Sequence, residues 1–112
     1  MNKELISYGI MRLMVIFDKP VETKEERKEY AKFRKFLISE GFMMLQYSIY
    51  VRYCANNTIA DKYIMHIMAF KNKYGDVRII CLTENQFANM ILICGEKGER
   101  ELKENDDGLI VI

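Results

Sequence analysis

Few residues of this chain have the type and setting to do chemistry, and Asp18 leads them. It closes the unbroken apolar run Leu13–Phe17, and Pro20 follows two positions on. Proline offers no N–H to a strand ladder, so the strand must stop there. A carboxylate at a strand tip beside a loop can ligate a hard cation. The plain alternative is that Asp18 accepts local backbone hydrogen bonds in an Asx turn. A lone carboxylate holds magnesium weakly. Two copies of Asp18 facing each other across a two-fold axis would hold it better, and a shared ion could activate water against a phosphate.

Other chemistry is thin. His66 is the single histidine, and no acidic residue stands four positions after it, so a metal or catalytic role is not expected. There is no Gly-rich phosphate loop, no G-x-S-x-G and no zinc-spaced Cys/His set. Cys54, Cys81 and Cys94 form no C-x-x-C pair. An odd, widely spaced set argues against a disulfide framework. Cys81 and Cys94 stand in apolar runs and are expected to be small buried hydrophobes in a reducing compartment.

The elements that position Asp18 are legible in order. Leu13–Phe17 predicts a short strand buried on both faces. Thr23 and Glu26 form a capping-box pair before a helix over Lys24–Glu40. Tyr30, Phe33 and Leu37, with Phe36 beside them, are its apolar stripe. Gly41 suits the left-handed turn after it. Phe42–Cys54 alternates like a strand but is long for one, so a bend near Gln46–Ser48 splits it. Asn56-Asn57-Thr58 caps a second helix over Ile59–Lys73, whose face is Ala60, Tyr63, Ile64, Ile67 and Phe70. Gly75-Asp76 turns the chain into a strand over Val77–Thr83, and Met90–Cys94 reads as another. Leu109–Ile112 is a bare apolar end suited to pairing at a sheet edge.

That order is the β-α-β-β-α-β plan of an α+β, ferredoxin-like sandwich with additional C-terminal strands. The 112 residues suit one such domain, 1–112, with residues 1–11 as a lead-in and 96–112 as an acidic segment and terminal strand. No apolar run reaches the roughly 20 residues of a membrane span, and no apolar leader is evident, so a cytoplasmic protein is expected. The net charge is +1, but it is unevenly spread. Lys24–Lys35 carries six basic residues against three acidic ones, and Glu96–Asp107 carries the reverse. The first helix therefore favours a polyanion and the tail repels one.

At this point the residues resemble a known family. Leu13-Met14-Val15-Ile16-Phe17-Asp18 resembles the first strand, with its terminal Asp, of the CRISPR-associated protein 2 family. Glu26-Arg27-Lys28 and Phe33-Arg34-Lys35-Phe36-Leu37 resemble its first helix. Gly41-Phe42 and Gln46-Tyr47-Ser48-Ile49-Tyr50 resemble its Gln-x-Ser strand, and Thr83-Glu84-Asn85-Gln86-Phe87 the segment after its fourth strand. Order and spacing carry the match, over most of residues 12–95, and it is nearest to members from type II systems.

The resemblance implies a homodimer whose sheets pack together. Its leading functional implication is a DNA-binding adaptor for spacer acquisition. Such an adaptor bridges CRISPR-associated protein 1 integrase subunits and holds double-stranded protospacer DNA. The alternative is a magnesium-dependent endonuclease, on RNA or DNA, with Asp18 as catalytic residue and metal ligand, paired across the dimer. Arg27 and Arg34, with Lys28 and Lys35, are the implied phosphate contacts. A small-molecule regulatory module on the same fold lacks the Gly-rich or polar loop it would need.

Overall fold

A computed structural model describes residues 9–95 of the chain. Four strands and two long helices alternate, and a short third helix follows. They are β1 (Met11–Asp18), α1 (Lys24–Ser39), β2 (Met43–Gln46), β3 (Ile49–Cys54), α2 (Asn57–Ala69), β4 (Asp76–Thr83) and α3 (Glu84–Ala88). The fold is α+β. Its strands form one antiparallel sheet in the order β2-β3-β1-β4.

β1 is the central strand, paired with β3 from Met11↔Cys54 to Ile16↔Ile49 and with β4 from Met11↔Thr83 to Asp18↔Asp76. Its side chains alternate between the two faces of the sheet. Leu13, Val15 and Phe17 point to one face and are buried. There they meet Phe33 and Leu37 of α1 and Ala60 and Ile67 of α2 in a single cluster with Tyr50 and Cys54. The apolar stripes of both helices are those the sequence predicts, and both cover this one face. Aromatic rings fill the middle. Phe17 meets Phe33 edge-on at 5.1 Å, and Phe70 lies 5.2 Å from Phe33 and 4.8 Å from Phe36. Such offset and edge-on pairs add to the burial of area alone.

The other face carries Met14, Ile16 and Asp18 of β1, opposite Val51, Ile49, Ile80, Arg78 and Asp76. Neither long helix covers it. Burial of the first strand on both faces is therefore corrected: Met14 is buried, but Ile16, Ile80 and Met43 stay exposed on this side. At the Met11 end, α3 returns beside β1. Arg12 donates to both carboxylate oxygens of Glu84, at 2.7 and 2.9 Å, beneath the ring of Phe87.

Local chemistry sets most boundaries as expected. Thr23 Oγ1 accepts from the Glu26 amide, and Glu26 Oε1 accepts from the Thr23 amide, at 3.1 and 2.9 Å. Gly41 takes φ +91° after α1. The Phe42–Cys54 run splits where expected, with a bulge between Met44 and Gln46 and Ser48 at φ 69°. Asn56 caps α2 by accepting from the Ile59 amide.

Three further expectations are corrected. α2 stops at Ala69, not Lys73, because Phe70 turns to extended backbone and puts its ring into the Phe33–Phe36 cluster. Met90–Cys94 is not a strand: a second capping box, of Thr83 and Gln86, starts α3 just before it, and within the segment only Ile91 makes an isolated bridge. Cys81 and Cys94 are exposed, while Cys54 is buried, and all three are free thiols. The acidic segment 96–107 and the Leu109–Ile112 strand lie outside the described residues. Among the described residues no helix is long and apolar enough to cross a membrane.

Candidate functional site

Antiparallel pairing gathers specific segments at one end of the sheet. β1 ends there at Asp18, β3 begins there after the Gln46–Ile49 hairpin, and β4 begins there at Asp76. Asp18 and Asp76 stand directly opposite each other in the β1–β4 register. Opposed residues of an antiparallel pair project to the same face. Two carboxylates thus share the end of the uncovered face, and both residues are exposed. Asp76 also has Arg78 Nε 3.9 Å from its Oδ1, a long and exposed contact. Among the described residues no three acidic, histidine or cysteine side chains converge on one point. The described residues therefore offer a pair of carboxylates at this end and no closed cage.

The backbone under this pair is held tightly. Lys19 points to the opposite side from Asp18 and is buried, with its side chain 0% exposed. Its Nζ donates to Glu29 Oε1 and Oε2 at 2.7 and 3.0 Å and to the Tyr74 carbonyl at 3.0 Å. It also lies 5.1 Å from the centre of the Phe33 ring. A buried ammonium is tolerable only with partners of this kind. One side chain so ties the end of β1 to α1 and to the connection before β4. Gly75 completes the seat at φ +77°, where a Cβ would stand 2.0 Å from the Asp18 carbonyl oxygen. On the other flank the Phe17 amide donates to the Ser48 carbonyl at 3.0 Å.

The implied phosphate contacts have different fates. Arg27 Nη1 donates to the Val21 and Glu22 carbonyls, at 3.1 and 2.7 Å, and so braces the loop after Asp18. Arg34 Nε donates to the Tyr50 hydroxyl at 2.8 Å. Both guanidiniums have work inside the chain. Lys28 and Lys35 are exposed on α1, and Lys28 lines a cavity of about 260 Å³ together with Lys32, Lys71 and Lys73. His66 pairs through Nδ1 with Glu40, and its ring meets Tyr63; it does not reach Asp18.

Sequence reasoning missed Asp76, Lys19 and Gly75. Asp76 and Gly75 were legible only as a turn, since nothing local says which strand β4 will pair with. A lysine before proline carries no mark of burial, because its partner Glu29 is ten positions away in another element.

Comparison with known proteins follows the same segments. The family model described as CRISPR associated protein Cas2 matches residues 11–90. A protein of Ligilactobacillus salivarius (strain UCC118) is 48% identical over 102 residues, covering 91% of this chain and all of that protein. A protein of Streptococcus mutans serotype c (strain ATCC 700610 / UA159) is 40% identical over 91% of this chain and 93% of its own length. One from Acidovorax ebreus (strain TPSY) is 39% identical over 85% of this chain and 93% of its own. Each is named as a CRISPR-associated endoribonuclease Cas2. These names correct the leading functional expectation, the DNA-binding adaptor. They agree with the alternative, an endonuclease.

Proposed function

Because the chain belongs to the CRISPR-associated protein Cas2 family, we propose that it is an endoribonuclease of CRISPR defence, acting as a homodimer with magnesium at Asp18. The observation that carries this reading is the exposed Asp18–Asp76 register pair at the end of a sheet face that neither long helix covers.

The donor set fits the metal. Magnesium keeps several waters and takes one or two carboxylates besides substrate phosphate, so two water-exposed carboxylates suit it better than a closed cage would. Bound there, the ion supplies charge neutralisation at the phosphate and an activated water. The chain's own residues do the positioning. Asp18 and Asp76 offer the oxygen ligands. Lys19, Glu29 and Gly75 fix the backbone that aims Asp18. Arg27 braces the loop that follows it.

A second copy would meet the uncovered face. Ile16, Ile80 and Met43 are exposed there, and an isologous contact would bury them and bring the partner's carboxylates to the same axis. We read the β2-β3-β1-β4 order as the ferredoxin-like plan, with each long helix joining two parallel strands across a third. Three free thiols accord with the reducing cytoplasm, where RNA substrates also are.

Asp18→Asn tests the reading directly. Cleavage of single-stranded RNA should fall to background, as it should for the wild type in EDTA. Stability should stay within about 0.5 kcal/mol and move upward, since one of two opposed like charges is removed. Full magnesium-dependent cleavage by Asp18→Asn would overturn the assignment.

A further inference from the structure

We propose that the lysine-lined cavity between α1 and the connection from α2 to β4 seats a backbone phosphate of the single-stranded RNA cleaved at Asp18. The inference rests on the endoribonuclease reading and gives it a substrate-binding subsite.

Charge is the first support. Lys28, Lys32, Lys71 and Lys73 line the cavity, with Glu25 and Glu29 as the acidic members of the wall. Glu29 is already neutralised from the interior, because both its oxygens accept from the buried Lys19. Four lysines then share the wall of a recess of about 260 Å³ with one uncommitted carboxylate. Such a site attracts an anion. Lysine is a compact point charge on a flexible stem, so it holds phosphate without reading a base.

Backbone conformation is the second. Lys28 and Lys32 are four apart on α1 and so share a face of that helix. Lys71 and Lys73 are two apart on a non-helical segment, because α2 ends at Ala69. Had α2 run on to Lys73, that spacing would have turned the two lysines well apart around the helix. The early stop forced by Phe70 brings them to one wall.

Position is the third. The same short connection builds the cavity and seats Asp18. Tyr74 lines the cavity, and its carbonyl accepts from Lys19. The next residue, Gly75, lies against the Asp18 backbone. Asp18 and Lys19 project to opposite faces of the sheet end, so a strand touching both Asp18 and the cavity must bend sharply around that end. A flexible single strand can do so. A duplex, stiff over about 150 base pairs, cannot.

Binding of a labelled oligouridylate to the full chain tests the proposal. It is measured at several salt concentrations in the Asp18→Asn background, where no cleavage intervenes. Lys71→Gln/Lys73→Gln should weaken binding severalfold. It should also flatten the salt dependence by about 0.7 for each RNA phosphate that is no longer neutralised. Lys62→Gln, an exposed lysine of α2 outside the cavity, should leave both unchanged. Lys28→Gln/Lys32→Gln repeats the test from the other wall. If both double variants keep the native melting curve together with the wild-type affinity and slope, the proposal is overturned. Tighter binding of duplex DNA than of oligouridylate through these lysines would also overturn it. Lysine-dependent RNA binding by a wild type that never cleaves RNA would support the subsite and sink the nuclease reading alone.

Discussion

Gly75 lies so close to Asp18 that a Cβ on it would stand 2.0 Å from the Asp18 carbonyl oxygen and 2.8 Å from the Lys19 Cα. The two backbones are in contact where β1 ends and β4 begins. The φ of +77° adds a second demand for glycine at the same place.

Gly75→Ala therefore forces either β1 or the connection before β4 to move. The expected cost is about 2–3 kcal/mol in urea unfolding, above an ordinary surface substitution. Cleavage should fall further than stability explains, because the displaced atom belongs to Asp18 itself. An alanine variant with wild-type stability and activity would show that the close approach is unimportant.

Lys19 and Glu29 form a buried ion pair, so their removal should be strongly non-additive. Lys19→Met leaves the Glu29 carboxylate beside an apolar neighbour, at a cost of about 3–5 kcal/mol. Lys19→Met combined with Glu29→Leu removes both charges and should recover much of that loss. A double-mutant cycle by denaturant melting measures the coupling. Additive costs would contradict the pairing geometry.

Ile80 is 45% exposed on the face that the long helices leave open. Ile80→Glu should leave the fold of one chain within about 0.5 kcal/mol, since little burial is lost. It should nevertheless convert the proposed dimer to monomer in sedimentation, because a charge buried at an interface without a partner is costly. A wild type that is monomeric at all concentrations would refute the use of this face.

Cys54 is buried, whereas Cys94 is exposed. Burial pushes the Cys54 thiol up, against the opposing pull of the nearby Arg52 guanidinium. A raised pKa means less thiolate at neutral pH and slower alkylation. Iodoacetamide should therefore label the exposed Cys94 quickly and Cys54 only on unfolding, as peptide mass spectrometry would read. Rapid labelling of Cys54 in the native protein would count against its place in the core.

Some of this protein could be read directly from its sequence. The capping box at Thr23 and Glu26, the stripe Tyr30–Phe33–Leu37, the turn at Gly41 and the split near Gln46–Ser48 are all local. Each depends on residues within a few positions, and side-chain spacing reports such features faithfully. The order of strands and helices as far as β4 followed from them, and so did Asp18 at the tip of β1.

The tertiary structure decided what depends on pairing between distant segments. β4 could have joined either edge, and only its register with β1 sets Asp76 opposite Asp18. Lys19 is buried because Glu29 and the Tyr74 carbonyl converge on it from two other elements. Lys71 and Lys73 read as a last helical turn until Phe70 found its place among the aromatic rings and ended α2. Periodicity in the sequence fixes which face of an element is apolar, but the polar groups that meet at the end of the sheet are selected by non-local packing.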